Sequence, residues 1–183
     1  HNACVAYKGR WFTDEKNTVG YIYVVRDPRS VACSNASHSN CTIEESVNDL
    51  LNENLIGFNG NYNLAEIPGS WKVNYLSWKK KKKFDGIIIK YEDLIDNAEL
   101  EFKKILLFLQ KKMNININEE KISKTVNSCI FSNMRHLEDK YGFKEAEKNK
   151  FFRKGIKDSW KTDLNQDLRK KIETSFKNEM IEL

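Results

Sequence analysis

Apolar residues along the chain fall into two patterns. The first is the short unbroken run: "YIYVV" at 21–25 and "GIIIKYEDL" at 86–94. Such β-branched and aromatic runs predict strands buried on both faces, as in a parallel sheet. The second is helical spacing. After the first run, Asp27 is a good N-cap and Pro28 suits the first helical position, which predicts a helix to about His38. Ile43, Val47, Leu50, Leu51 and Leu55 predict a second, amphipathic helix. "GSWKVNYLSWKKKKK" reads as a helix with Trp71, Tyr75 and Trp78 a turn apart, and "NAELEFKKILLFLQ" as one that packs Leu100, Ile105, Phe108 and Leu109. "NEEKISKTVNSC" gives a further helix. Asn165 caps a final one, with Leu164, Leu168, Ile172, Phe176 and Met180 at regular intervals. "GFNGNYN", residues 132–150 and "KNKFFRKGIKDSWK" read as loops.

Strands that alternate with helices predict an α/β fold with a parallel β-sheet flanked by helices. Two strands make a small sheet, so more are expected upstream of His1. No internal repeat or Pro/Gly/Ser-rich linker divides the chain, which reads as one domain over residues 1–183.

Composition narrows the class. Hydrophobic residues make up 40% and aromatics 11%, a globular composition with material for a core. A net charge of +5, from 31 basic and 26 acidic residues, suits an anionic ligand without calling for nucleic acid. The lysine run Lys79–Lys83 reads as the solvated end of a helix whose dipole favours cations, rather than a nucleic-acid motif. Cys4, Cys33, Cys41 and Cys129 form no CxxC pair and have no histidines at zinc spacing, so they read as free thiols in a reducing, cytoplasmic setting. No apolar run approaches the ~20 residues of a membrane span. The chain begins at His1 rather than methionine, so targeting signals are left open. His38 and His136 lie in polar contexts and receive no role.

Chemistry concentrates where the first strand ends. Arg26 stands at the carboxyl end of that strand, where open α/β sheets bind ligands. Ser34 lies two helical turns beyond Asp27 on the same face. A guanidinium and a hydroxyl beside a helix N-terminus can hold a phosphate dianion. Equally, Arg26 can pair with a nearby carboxylate and Ser34 can be a small helix residue. The residues alone leave both open.

Four stretches then resemble one family in order. "YVVRDPRSVACS" is similar to the 3′-phosphate-binding segment of the sulfotransferases that use 3′-phosphoadenosine 5′-phosphosulfate (PAPS). "GSWKVNYLSW" resembles that family's GSW segment, and "IIIKYEDLIDN" its strand ending in Tyr-Glu-Asp. "FFRKGIKDSWK" resembles its Arg-Lys-Gly loop with the following tryptophan and lysine, the most specific of the four. The resemblance implies a P-loop-NTPase-like sulfotransferase fold of the cytosolic, small-molecule type, and PAPS as sulfonate donor with adenosine 3′,5′-bisphosphate as product.

Residue by residue, the resemblance implies that Arg26, Ser34, Arg153, Lys154 and Gly155 bind the 3′-phosphate. Tyr91 and Phe131 would contact adenine. Cys129 stands where the family has a threonine and is the weaker hydrogen-bonding partner. "HNA" fits the family's Lys-x-His segment, making His1 the general base. The family's 5′-phosphosulfate loop and the lysine before the histidine would precede His1. The chain is therefore expected to be the C-terminal portion of the enzyme, inactive in transfer alone. No metal is implied, and no nucleic-acid or membrane partner. The acceptor would be a small molecule with a hydroxyl or amine, in a pocket lined by residues 57–68 and 132–150. "KTDLNQDLRKK" lacks the Thr-Val of the family's dimer segment, so a homodimer is left open. Two rival readings stand beside this one: a small-molecule kinase of the same fold, and a non-catalytic nucleotide-binding relative.

Overall fold

The computed structural model describes residues 2–11, 13–59, 64–81, 85–144 and 149–183. Along the chain lie β1 (Ala6–Tyr7), β2 (Arg10–Trp11), β3 (Tyr21–Val25), α1 (Pro28–His38), α2 (Ile43–Leu51), β4 (Gly57–Asn59), β5 (Leu64–Glu66), α3 (Trp71–Lys79) and β6 (Gly86–Lys90). They are followed by α4 (Tyr91–Asp96), α5 (Ala98–Gln110), α6 (Glu119–Ser128), α7 (Phe131–Tyr141), α8 (Trp160–Asp163), α9 (Gln166–Ser175) and α10 (Lys177–Ile181).

The two expected strands pair, but the second ends at Lys90, and Tyr91–Leu94, expected to continue it, open α4 instead. β3 and β6 run parallel, in a register from Tyr21 opposite Gly86 to Val25 opposite Lys90. The tight pairing at the first position needs glycine, since a Cβ on Gly86 would lie 2.0 Å from the Tyr21 ring. That ring sends its hydroxyl to the Trp78 carbonyl at 2.8 Å. β1–β2 and β4–β5 form small antiparallel pairs.

The main core joins Val25 of β3, Ala32 and Cys33 of α1, Val47 of α2, Trp71 and Tyr75 of α3, and Trp160, Leu164, Ile172 and Phe176 from the C-terminal helices. The α1 start behaves as its sequence demands: Asp27 caps the helix by accepting from the Arg29 amide at 2.8 Å, with Pro28 in the first turn. At α2, Thr42 and Glu45 complete a capping box.

Several expectations need correction. β3 is not buried on both faces: Val25 is buried, whereas Ile22 and Val24 are 40% and 48% exposed. The aromatic side chains of α3 pack against Tyr21 and Tyr23, on the opposite face of the strand. A continuous apolar run cannot by itself distinguish covering on one face from covering on two. In α5, Leu100 is exposed and Glu101 is buried in its stead, paired with Lys104 at 2.5 Å. Residues 132–141, read as loop, belong to α7, and Gly57–Asn59 at the start of "GFNGNYN" pair as β4 with Leu64–Glu66 of β5. The final helix is split at Phe176, whose φ of −118° breaks the α geometry.

Candidate functional site

The parallel register determines what meets at the sheet's carboxyl end. Val25 lies opposite Lys90, so the next residues, Arg26 and Tyr91, emerge side by side. The Arg26 guanidinium lies over the Tyr91 ring, 4.2 Å from its centroid. The backbone there is held by side chains: Trp71 Nε1 donates to the Arg26 carbonyl at 3.1 Å, and the Asp27 amide donates to Glu92 at 3.2 Å. Among the described residues Arg26 Nε is a buried donor with no acceptor. The carboxylate partner that would explain Arg26 without a ligand is therefore not seen. The neighbouring Arg29 is the opposite case. It pairs with Asp27 at 2.6 Å and Glu173 at 2.5 Å and lies 3.9 Å over the Trp160 ring, a strut between α1, α8 and α9.

A cleft of about 560 Å³ opens beside Arg26. One side holds Arg26, Tyr91 and Ser34, the last exposed on α1. The other holds Arg153, Lys154 and Gly155, with Cys129 and Phe131 also on the wall. All eight residues proposed to contact nucleotide thus line one cavity, although they come from four separate stretches of chain. The ninth, His1, lies outside the described residues.

The far side is built differently. Residues 149–155 have no regular structure, yet their backbone is tethered. Glu138, buried on α7, accepts from the amides of Phe151 at 2.6 Å and Phe152 at 3.0 Å. Arg135 donates to the Arg153 carbonyl at 2.7 Å, and Asn149 to the Ser37 carbonyl at 2.8 Å. Gly155 has φ +63°, and a Cβ there would sit 2.1 Å from the Phe131 ring. Glycine is required by that ring and that backbone, irrespective of a ligand.

Charge converges beside the cleft, where Arg153 also lines a second hollow with Cys33 and Asp163. Arg153 and Lys154 both reach Asp163, at 3.3 and 2.7 Å. The Lys154 hydrogen bond holds the Asp163 carboxyl below its ordinary range. Cys33, buried nearby, has its thiol pushed above its ordinary value by burial and further by Asp163. Arg153, Lys154 and Arg26 pull the other way, so all three cations act on one point.

The family model described as a sulfotransferase domain matches residues 14–183. This chain belongs to the sulfotransferase domain family. It is 32% identical to dog sulfotransferase 1B1 over 121 residues, which cover 61% of this chain and 39% of that one. It is 27% identical to mouse sulfotransferase 1B1, covering 90% and 55%, and 28% identical to Arabidopsis thaliana cytosolic sulfotransferase 15, covering 81% and 43%. The chain thus spans 39–55% of the length of these relatives. Among solved structures it resembles mouse sulfotransferase SULT7A1 complexed with PAP, with TM-score 0.63 and 23% identity over 87% of this chain and 57% of that one. At that identity the likeness concerns the fold.

In this sulfotransferase-domain chain the sequence did not reveal Asp163, Glu138 or Arg135. Asp163 and Glu138 each act on residues nine or more positions away, which no short motif records. Among the described residues, no cluster of three or more histidine, cysteine or acidic groups is placed to hold a metal. No described helix is long and apolar enough to cross a membrane.

Proposed function

We propose that the cleft binds the 3′-phosphate and adenine of 3′-phosphoadenosine 5′-phosphosulfate, as part of a sulfotransferase that acts on a hydroxyl or amine of a small molecule. The observation that carries this is Arg26: a guanidinium fixed over Tyr91, with a buried Nε donor lacking an acceptor, in one cavity with Arg153 and Lys154. An unmet buried donor is unfavourable, and a phosphate oxygen reached by a small shift of the guanidinium relieves it with a charge-assisted bond.

In this reading Arg26 and Ser34 hold one side of the phosphate, and Arg153, Lys154 and the backbone at Gly155 the other. Phe131 presents a ring face to adenine and Tyr91 its edge, while Cys129 contributes at most a weak thiol hydrogen bond. Bound there, the nucleotide supplies the sulfonate for transfer. The general base is assigned to His1, which would take the proton from the acceptor's hydroxyl oxygen or amine nitrogen; that assignment rests on the family resemblance. The residues belong to the C-terminal portion of one sulfotransferase domain.

Calorimetric titration of the 183-residue chain with adenosine 3′,5′-bisphosphate tests the assignment. Arg26→Ala is expected to weaken binding about 30-fold, as loss of charge-assisted hydrogen bonds implies. Equal affinity in the two proteins would sink the pocket.

A further inference from the structure

Beside the cleft, in an adjoining hollow that Arg153 also lines, stands an acid where the surroundings of a phosphate site would be expected to carry none. Asp163 closes α8 and is flanked by Trp160 and Leu164, both buried in the core, so its backbone is held in place. Its carboxylate is fully engaged: Lys154 Nζ donates to Oδ1 at 2.7 Å and Oδ2 at 2.8 Å, Arg153 Nη2 to Oδ2 at 3.3 Å, and Thr162 Oγ1 to Oδ1 at 3.0 Å. The two cations assigned to the phosphate thus already hold an anion. With Arg26 they bring three positive charges to the cleft, and Asp163 leaves a net two.

We propose that Asp163 is an internal counter-anion that competes with the incoming 3′-phosphate for Lys154 and Arg153 and so sets the affinity of the site. This rests on the nucleotide reading given above. To bind, a phosphomonoester must draw the ammonium and guanidinium away from a carboxylate that stays behind, less well paired and close to a second anion. The exchange swaps charge-assisted bonds rather than adding them, and like-charge repulsion remains.

The arrangement has a use in the proposed reaction. The 3′-phosphate is not altered by sulfonate transfer, so any affinity it provides is shared by donor and product nucleotide and does not speed the chemistry. A site that held it too firmly would retain the product, and release then limits turnover. A carboxylate on a rigid helix end, facing cations on a loop, lowers that shared affinity while keeping the cations in place when the site is empty.

The test measures adenosine 3′-phosphate and adenosine binding to the 183-residue chain and to Asp163→Asn, by calorimetry and by stopped-flow dissociation. Asn keeps the shape and one acceptor oxygen while removing the charge. The expected result is about tenfold tighter adenosine 3′-phosphate binding, carried by slower dissociation, with adenosine unchanged. Asp163→Glu, which keeps the charge, is expected to stay within about twofold of wild type on the same grounds. Unchanged or weaker adenosine 3′-phosphate binding in Asp163→Asn overturns the inference, as does a matching gain in Asp163→Glu. A wild-type chain that binds adenosine 3′-phosphate no better than adenosine overturns the nucleotide reading itself, a separate outcome. If Asp163→Asn and Asp163→Ser both lose their cooperative thermal transition, Asp163 is a fold strut and the inference falls.

Discussion

The two sides of the cleft present the same kind of charge on unlike foundations. Arg26 follows directly from a parallel ladder, and its neighbour Tyr91 follows from the partner strand. Its position is set by backbone register and by the Trp71 hydrogen bond to its carbonyl. Arg153 and Lys154 sit on an irregular loop whose place is set by carboxylates: Glu138 on its amides and Asp163 on its cationic heads. One side is positioned by the sheet, and the other by side-chain tethers, of which the Asp163 pairing with Arg153 and Lys154 is the one a ligand can replace. A phosphate site built this way has one side fixed before binding and one side that exchanges partners during it.

The largest expected effect falls on the loop side. Gly155→Ala must either move Phe131 or abandon φ +63°, because the new Cβ would lie 2.1 Å from the ring. Overpacking and a left-handed alanine together cost about 2–4 kcal/mol. Denaturant unfolding is expected to show that loss, with faster amide exchange at 151–155. Arg26→Ala is expected to act on binding instead: about 30-fold in nucleotide affinity, with the unfolding midpoint little changed, since it removes no described ion pair. If Arg26→Ala also lowered stability by several kcal/mol, the sheet side would be less self-sufficient than its register suggests.

Glu138→Gln ranks next. It removes the charge from a buried acceptor of two backbone amides, worth about 1–2 kcal/mol, and is expected to raise exchange at Phe151 and Phe152 before it affects the core. Trp71→Phe deletes the indole donor to the Arg26 carbonyl, about 1 kcal/mol, and also leaves a void beside Tyr75 and Phe176, read as a modest loss of nucleotide affinity together with a lowered unfolding midpoint. Acid gives the smallest signal. The Asp163 carboxyl is held below its ordinary range, so its contribution is present above the unfolded carboxylate value of about 3.9 and is lost as pH falls through the lower, folded value. Amide exchange in the loop is expected to rise below about pH 4, while exchange in the β3–β6 ladder does not follow Asp163.

These differences track what the sequence made legible. β3, β6, α1 and the Asp27-Pro28 start are written in contiguous residues, so periodicity and capping chemistry recover them. The strand-end arginine was visible for the same reason, although whether it paired with a carboxylate was not. α7 was read as loop because Met134, Arg135, His136 and Glu138 form a largely polar stretch, and its stabilising contact is a buried carboxylate reaching across to another segment. Asp163 sits in "KTDL", where an acid at the end of a one-turn helix has no signature of its own. Gly155 was legible as a glycine in a recognisable loop, but its reason, the Phe131 ring, comes from residues far upstream. Exposure of Ile22 and Val24 was hidden because an apolar run reads the same whether one face or two is covered.

The placement of two indoles gives the molecule a built-in optical readout. Trp71 touches the backbone of Arg26, while Trp160 lies three residues before Asp163 and under the guanidinium of Arg29. Single-tryptophan variants that retain one or the other would report the sheet side and the loop side separately, without an added dye. Emission from the Trp160 variant is then expected to respond when Lys154 and Arg153 leave Asp163, and emission from the Trp71 variant to stay nearly constant.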